Sequence, residues 1–298
     1  MDSMDNSTSE FKSLCDELIK NKNIRVITLN EITRYDNKEL IGEGSQAEVY
    51  IAKLGDIDVA IKLLTNVDWK CFWNELIILS KIEHDNIPKF YGIITENNKI
   101  QMVFQYIKGK SLDLYHGHLN LFSESEKLGL VKSLASALEV IHKNNFIHRD
   151  LKPENIMIDS SNKLYVIDFG ISKVIDEGIS VLTRAKGSTY FLSPEVFVDE
   201  SEEDSLEIIS RITPKVDIWA FGCIVSYIFS DIIPWTQKFS NNEDIVLSKI
   251  RKRAKFPIPN KIVNKDIKKI ISMCTEVKKD KRPDITEIIK ILEDIKIE

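Results

Sequence analysis

The hydrophobic pattern of this 298-residue chain changes character once, near residue 108. Between about residues 40 and 106, short β-branched or aromatic runs separated by turns predict strands. One amphipathic helix, predicted over 68–82, interrupts these strands. The chain therefore predicts a strand-rich lobe followed by a helix-rich lobe, an α+β fold. Apolar residues at three- and four-residue intervals predict the helices of the second lobe over 124–144, 215–230, 242–252, 265–275 and 284–295.

Composition excludes several classes of protein. The 41 basic and 46 acidic residues give a net charge of -5, which argues against a non-specific nucleic-acid binder. The N-terminus is polar and acidic, unlike a signal or transit peptide, and the longest apolar run, 218–229, is too short to cross a bilayer. We expect a reduced, soluble, cytoplasmic protein that binds neither nucleic acid nor membrane. The cysteines form no C-x-x-C pair, which argues against a zinc site or a disulfide framework: Cys15, Cys71, Cys223 and Cys274.

A glycine-rich stretch, GEGSQA, precedes the second predicted strand. Gly42 and Gly44 would let backbone amides approach phosphates, but Ala47 stands where a third glycine would complete G-x-G-x-x-G. Taken alone, a hairpin turn is the better interpretation of these glycines.

Charged and amide side chains follow at an ordered spacing. Lys62 ends the predicted strand VAIK, where an inward-pointing lysine needs an anion, and Glu75 on the next helix is a candidate to hold it. Three more polar residues, Asp150, Lys152 and Asn155, project from a loop between packed apolar segments. A capped turn explains any one of these motifs, but not all of them in this order.

Another carboxylate, Asp168, stands at the end of an apolar strand, LYVIDFG, with Gly170 as a hinge. Together with Asn155 it offers the hard oxygen ligands that suit Mg²⁺ bridging phosphates. Asp150 is a candidate to accept or orient the proton of an attacking hydroxyl.

Over roughly residues 35–295 the chain resembles the eukaryotic protein kinase family. The motifs that carry the resemblance are Gly42/Gly44, Val59 to Lys62, His148 to Asn155, Asp168 to Gly170 and Ser193 to Glu195. The resemblance implies a bilobal fold with a small antiparallel sheet and one key helix, then a larger, mainly helical lobe. The domains expected are an N-terminal extension with a short amphipathic helix over 1–34, an N-lobe over 35–106 and a C-lobe over 107–298.

The resemblance also implies an activity, the transfer of the γ-phosphate of ATP to Ser/Thr hydroxyls of protein substrates. Asp150 would be the catalytic base, and Lys152, within the serine/threonine-type sequence DLKPEN, would neutralise charge on the transferred phosphate. Lys62 would contact the α- and β-phosphates and pair with Glu75. Mg²⁺ would be held by Asn155 and Asp168.

The remaining ATP contacts follow from the same alignment. Adenine would lie between Val49 and Ala60 on one side and Met157 on the other, with Phe104 as gatekeeper and Gln105 and Tyr106 at the hinge. The glycine-rich loop would supply Ile41, Gly42, Glu43, Gly44, Ser45, Gln46, Ala47 and Glu48.

The segment from Asp168 to Glu195 resembles an activation segment. Arg149 and Lys173 are placed to bind a phosphate there, and Thr183 and Ser180 are candidate acceptors for an upstream kinase or for autophosphorylation. By the same resemblance, Glu195 and Arg282 would form a buried ion pair. Asp217 would anchor the backbone of the catalytic loop, and Ser188 would supply a hydroxyl that contacts this loop.

Four departures from the family pattern stand out: Ala47, SPE in place of APE, Gln105 at the hinge, and the acidic segment 198–207. That segment either favours basic substrates or is a solvated loop without a role. The alternatives to an active kinase are a pseudokinase that binds ATP or serves as a scaffold, and a small-molecule kinase. The pseudokinase is disfavoured because no phosphate- or metal-handling residue is missing, and the small-molecule kinase because the P-E motif and activation segment are present. A likeness to the tyrosine-kinase-like group is weak.

Overall fold

Strands dominate the first of two compact units, which comprises Met1–His84 and Pro88–Lys108. In this computed structural model the described residues are 20, 24–34, 40–43, 47–64, 69–96, 99–169, 173–174, 188–197, 212–239 and 241–296. Six strands form one antiparallel sheet in the order β1-β3-β4-β6-β5, with β2 paired to β3. The strands are β1 (Ile32–Arg34), β2 (Leu40–Glu43), β3 (Ala47–Leu54), β4 (Ile57–Leu64), β5 (Phe90–Glu96) and β6 (Lys99–Gln105).

Alternation within the strands builds the core of this unit. In β4, Val59 and Ile61 are buried, while Ala60 and Lys62 are only partly buried. This two-residue period puts apolar side chains on one face of the sheet. The predicted helix of this unit is α1 (Trp69–Leu79), slightly shorter than the 68–82 expected.

Residues 24–34, part of the predicted N-terminal extension, contribute directly to this sheet. Val26 forms a parallel bridge with Ile93, and β1 pairs with β3. Ile27 is 1% exposed within the core cluster of the unit. Strand pairing at 24–34 was not predicted. Of the short amphipathic helix predicted in the extension, FKSLCDELIK (11–20), one residue belongs to the described part, Lys20, and it is helical.

Helices dominate the second unit, which comprises Asp85–Ile87 and Gly109–Glu298. Their bounds agree with the sequence prediction to within one residue for each of the five predicted helices. None of the helices in the described part of the chain is apolar over a length that would cross a bilayer. The helices are α2 (Glu124–Lys143), α3 (Lys215–Ser230), α4 (Thr236–Phe239), α5 (Glu243–Arg251), α6 (Lys265–Cys274) and α7 (Ile285–Asp294).

Two small sheets accompany these helices, and the loop with Asp150, Lys152 and Asn155 runs from one to the other. β9 lies between β7 and β10, and β8 pairs with β11, all antiparallel. Residues 148–155 connect β8 to β9, so packed strands hold both ends of that loop. The strands are β7 (Gly109–Ser111), β8 (Phe146–Ile147), β9 (Ile156–Asp159), β10 (Leu164–Val166) and β11 (Lys173–Val174).

Candidate functional site

A buried ion pair joins strand β4 to helix α1 in the first unit. Lys62 Nζ lies 2.8 Å from Glu75 Oε1 and 3.0 Å from Oε2, and Glu75 is 4% exposed. A buried carboxylate is costly unless it is paired and hydrogen-bonded, so this lysine stabilises the glutamate and fixes its own ammonium group. The two residues predicted to interact are therefore in contact.

The described part of the glycine-rich stretch is an antiparallel pair of strands. Gly42 pairs with Val49, and Ala47 is the first residue of β3, paired with Leu64. Ala47 is not among the residues with positive φ, so its methyl group causes no left-handed strain. The predicted phosphate contacts at Gly44, Ser45 and Gln46 lie outside the described residues.

Ala60 and Phe104, two of the residues expected around adenine, lie on neighbouring strands of this unit. Ala60 pairs with Phe104, whose ring packs 5.5 Å from the ring of Phe90. The Gln105 side chain accepts a hydrogen bond of 3.3 Å from the Lys89 amide. The Gln105 side chain is therefore held by the residue that precedes β5, and an acidic side chain at this position would accept the same hydrogen bond.

Other predicted ATP contacts show a range of exposure. Ile41 is 43% exposed, whereas Tyr106 is partly buried. Glu48 accepts a short hydrogen bond from the hydroxyl of Tyr50. In the second unit, Met157 pairs with Ser111 and with Tyr165 in the small sheet.

Three of the catalytic candidates form one hydrogen-bonded cluster in the second unit. Lys152 Nζ lies 2.8 Å from Asp150 Oδ2. The Asn155 amide nitrogen donates to the Asp150 carbonyl oxygen at 2.8 Å and to Asp150 Oδ2 at 3.0 Å. Both side chains contact the same carboxylate oxygen, Oδ2, and so orient the Asp150 carboxylate.

Asp217, at the start of α3, holds the backbone of the same loop. Its Oδ2 accepts from the His148 amide and its Oδ1 from the Arg149 amide, each at 2.9 Å. His142 Nε2 lies 2.9 Å from Oδ2. Burial alone would raise the pKa of Asp217, but the hydrogen bond and charge of His142, together with the backbone amides, hold that pKa below its ordinary value of 3.8.

The backbone is strained at Arg149, beside Asp150, and at Asp168, the second predicted metal ligand. Arg149 has φ 71° and Asp168 has φ 62°, values that residues other than glycine seldom adopt. The Ile167 amide donates to the Asn155 carbonyl at 2.9 Å, which ties the residue before Asp168 to the loop. The Asp168 side chain is exposed.

The predicted ion pair between Glu195 and Arg282 is present and buried. The two guanidinium nitrogens donate to the two carboxylate oxygens at 2.5 and 2.8 Å. Arg282 Nε also donates to the Glu276 carbonyl at 2.7 Å, and the guanidinium stacks 4.9 Å from the Trp219 ring centroid. Bidentate pairing and stacking are geometries that arginine supports and lysine does not.

Some predicted residues cannot be placed in this site. Gly170, Ser180, Thr183 and the acidic segment 198–207 lie outside the described residues. The backbone of Lys173 pairs with Ile147, but its side chain, like that of Ser188, is outside the described part.

Sequence reasoning missed His142, which contacts Asp217 from the last turn of α2. A single histidine on a largely apolar helix is usually a core residue, so the sequence carried no signal for this contact. It also missed Asn86, whose side chain donates to the Leu164 carbonyl at 2.8 Å and so supports β10.

Comparison with known proteins adds an independent result. A family model described as protein kinase domain matches residues 35–291. Sperm motility kinase 3A of Mus musculus is 27% identical over 263 residues, covering 86% of this chain and 49% of that protein. CBL-interacting serine/threonine-protein kinase 24 of Arabidopsis thaliana is 29% identical over 217 residues, covering 70% and 47%.

A third relative, mitogen-activated protein kinase kinase kinase A of Dictyostelium discoideum, is 25% identical over 300 residues, which cover 95% of this chain and 29% of that protein. The chain thus spans about half the length, or less, of these relatives.

Proposed function

The chain belongs to the eukaryotic protein kinase family, serine/threonine type and bilobal fold, and we propose that it transfers the γ-phosphate of ATP to Ser/Thr hydroxyls of protein substrates. The observation that carries this proposal is the cluster of Asp150, Lys152 and Asn155, each within 3.0 Å of a partner in the cluster. Phosphoryl transfer asks little covalent chemistry of a protein, so catalysis depends on charges held in position.

Asp150 is assigned as the residue that orients the substrate hydroxyl and accepts its proton. The Asn155 amide nitrogen and the Lys152 ammonium group both contact its Oδ2, which restricts the rotation of its carboxylate. Because this carboxylate is already fixed, its side chain loses little further entropy when it holds the substrate hydroxyl in line with the γ-phosphorus of ATP. Lys152 is assigned to neutralise charge on the phosphate while it is transferred.

The oxygen donors near this cluster fit a magnesium ion. Because the Asn155 nitrogen donates to Asp150, its Oδ1 is the amide atom oriented to act as a ligand, and Asp168 adds an exposed carboxylate. Mg²⁺ commonly binds through one or two protein oxygens, with water and phosphate completing its octahedron. When bound, Mg²⁺ would neutralise charge on the ATP phosphates.

Lys62 is assigned to the α- and β-phosphates of ATP. Its ammonium group is already fixed by Glu75, which restricts the long side chain before nucleotide binds. For the rest of the nucleotide, we propose the contacts expected from the family resemblance. The glycine-rich loop would cover the phosphates, and the residues named above, from Val49 to Met157, would surround adenine.

Phosphorylation of Thr183 or Ser180 is proposed as the activating modification. Arg149, next to the catalytic aspartate, is the described residue expected to bind the phosphate. Two results together would exclude phosphorylation of this segment as the activating modification. They are full kinase activity of Thr183→Ala and the absence of any phosphorylated residue between 172 and 189 in phosphorylation mapping.

The acidic segment 198–207 is proposed to favour basic substrates. Deleting 199–206 should lower phosphorylation of a basic peptide but not of an acidic one. Equal effects on both peptides would assign the segment no role in substrate choice.

The decisive experiment measures transfer of labelled phosphate from Mg²⁺-ATP to a generic protein substrate. Asp150→Asn should lower the rate by at least about a hundredfold, because general-base catalysis and orientation are lost together. Asp280→Asn, which changes an exposed carboxylate of the same unit, should keep the rate of the original protein.

Binding of a fluorescent ATP analogue separates catalysis from nucleotide affinity. We expect Asp150→Asn to bind the analogue about as well as the unchanged protein. Equal labelling by both proteins would refute the role of Asp150, and nucleotide binding without transfer by either would favour the pseudokinase.

A further inference from the structure

A basic surface lies on residues 251–269 of the second unit. Within this stretch, all of which is described, Asp266 is the one exposed acidic residue. Seven cationic side chains are exposed, and we define them as the basic surface: Arg251, Lys252, Arg253, Lys255, Lys261, Lys265 and Lys269.

Buried residues hold this stretch against the core of the unit. The Phe256 ring packs edge-on against Trp235 at 5.3 Å and Trp219 at 6.3 Å, and is 3% exposed. Pro259 and Ile262 are also buried. Apolar anchors therefore alternate with exposed cations, so the cations project from a fixed backbone.

Helix α6 contributes one cationic face to this stretch. Lys265 and Lys269 are four residues apart, with Lys268 beside them, and neighbours at this spacing share a helix face. The buried residues occupy the opposite side of the helix: Ile267, Ile270, Ile271 and Cys274.

The charge of this surface is not neutralised within the described part of the chain. No ion pair joins any of its seven cations to an acidic residue there, whereas Lys143 and Lys215 of the same unit pair with Glu139 and Asp284. The whole chain carries a net charge of -5, so the positive charge is local. A local excess of one sign attracts ligands of the other sign.

We infer that the basic surface binds an acidic segment of a partner protein. Val263, 84% exposed between Lys261 and Lys265, adds an apolar contact that a peptide with mixed acidic and apolar residues would use. Charge complementarity of this kind gives specificity and fast association.

Two other anionic partners fit this surface less well. Nucleic-acid binding commonly adds stacking on exposed aromatic rings, and the one aromatic residue in 251–269, Phe256, is buried. Membrane-surface binding needs several large apolar side chains beside the cations, and here Val263 is the one exposed large apolar residue.

The test measures binding of a fluorescein-labelled oligo-glutamate peptide to the full chain by fluorescence anisotropy, without ATP. Lys252→Glu, Lys261→Glu and Lys269→Glu together should weaken binding by at least about tenfold, because like charges then face each other. Added salt should weaken binding to the unchanged protein, since exposed charges are screened. Because no phosphoryl transfer is measured, the result is independent of the proposed kinase activity.

A matched triple variant controls for net charge. This variant carries three substitutions of exposed lysines elsewhere in the unit, Lys132→Glu, Lys290→Glu and Lys296→Glu. It changes the net charge as much as the first variant does, and it should leave the affinity for the peptide unchanged. If the first variant fails to fold by circular dichroism, Lys→Gln at its three positions replaces it.

Three results would overturn the inference. They are no binding of the peptide, equal loss of binding in both triple variants, and tighter binding of an oligo-uridylate or of phosphatidylserine vesicles than of the peptide.

Discussion

At the scale of single residues, the candidate site depends on where buried polar atoms find partners. Asp217 is almost wholly buried and stays ionised because two backbone amides and His142 contact its carboxylate. Those amides belong to His148 and Arg149, immediately before the proposed catalytic aspartate. The charge of Asp217 thus fixes the backbone from which Asp150 projects.

This arrangement predicts a pH-dependent contribution to stability. The pKa of Asp217 is lowered on folding, so its stabilisation is present above its ordinary value of 3.8 and is lost as pH falls through the lower folded value. Asp217→Asn should lower the free energy of unfolding at neutral pH by about 1.5–3 kcal/mol, as for a hydrogen bond to a charged group. Urea unfolding should show this gap unchanged down to about pH 4 and narrowing below it.

Asp280→Asn controls for the loss of an exposed carboxylate and should change the free energy of unfolding by less than about 0.5 kcal/mol. A gap for Asp217→Asn that narrows between pH 7 and 5 would contradict the lowered pKa.

Ser193 illustrates the opposite situation, a buried polar atom without a partner. It replaces the alanine of the usual family motif, is 1% exposed, and its hydroxyl has no hydrogen-bond partner within the described part of the chain. Ser193→Ala should raise the free energy of unfolding by roughly 1 kcal/mol, because an unsatisfied buried hydroxyl is removed.

Ser230 provides the comparison, since it is equally buried but donates to the Ser226 carbonyl at 2.6 Å. Ser230→Ala should destabilise the protein in the same urea titration. Similar losses for both variants would show that the Ser193 hydroxyl is satisfied.

At the scale of elements, one close backbone contact decides how residues 24–27 join strand β5. The Ile93 amide donates to the Arg25 carbonyl at 3.0 Å, and the Ile27 amide donates to the Ile93 carbonyl at 2.8 Å. Gly92 has φ 144°, and a Cβ atom there would lie 2.2 Å from the Arg25 oxygen. A glycine is therefore required for residues 24–27 to add to strand β5 and bury Ile27.

Gly92→Ala should displace residues 24–27. It should therefore lower the free energy of unfolding by more than the cost of left-handed backbone strain alone. Gly55→Ala is the control, because Gly55 also has positive φ but a Cβ atom added there would have no neighbour within 4 Å among the described residues. Its cost should be about 1–2 kcal/mol, the usual left-handed penalty. Hydrogen exchange at the Ile27 and Ile93 amides should accelerate in Gly92→Ala and not in Gly55→Ala; unchanged exchange would contradict the predicted displacement.

At the scale of the whole molecule, the second unit is held together by contacts between residues far apart in the chain. Glu195 and Arg282 are 87 positions apart, and their ion pair is buried beside Trp219. Removing one partner of a buried pair leaves the other charge without compensation, which costs more than the pair contributes.

Glu195→Gln should therefore lower the free energy of unfolding by about 3–5 kcal/mol. Lys143→Gln, which removes an exposed pair with Glu139 at 2.9 Å, should cost less than about 1 kcal/mol. In a double-mutant cycle, Glu195→Gln with Arg282→Met should cost less than the sum of the two single changes. Additive costs in urea unfolding would show that the two side chains do not stabilise each other.

The periodic elements could be predicted closely from the sequence. Helix α3 was expected at the residues it occupies, Lys215–Ser230, and helix α2, Glu124–Lys143, was expected to within one residue. Both carry apolar patterns long enough to specify one conformation. The pairing of residues 24–34 with the sheet was missed because the apolar runs in this segment are too short to show a periodic pattern.

The sequence by itself determined the two kinds of lobe, the order of the motifs and the family, because periodicity and motif spacing are properties of neighbouring residues. Only the tertiary structure decided that His142 meets Asp217, that Ser193 is buried without a partner among the described residues, and that the Arg25 carbonyl lies against Gly92. It also showed that the seven cations of the basic surface are exposed, whereas Phe256 in the same stretch is buried. Those facts depend on how distant elements pack, and no local pattern encodes that packing.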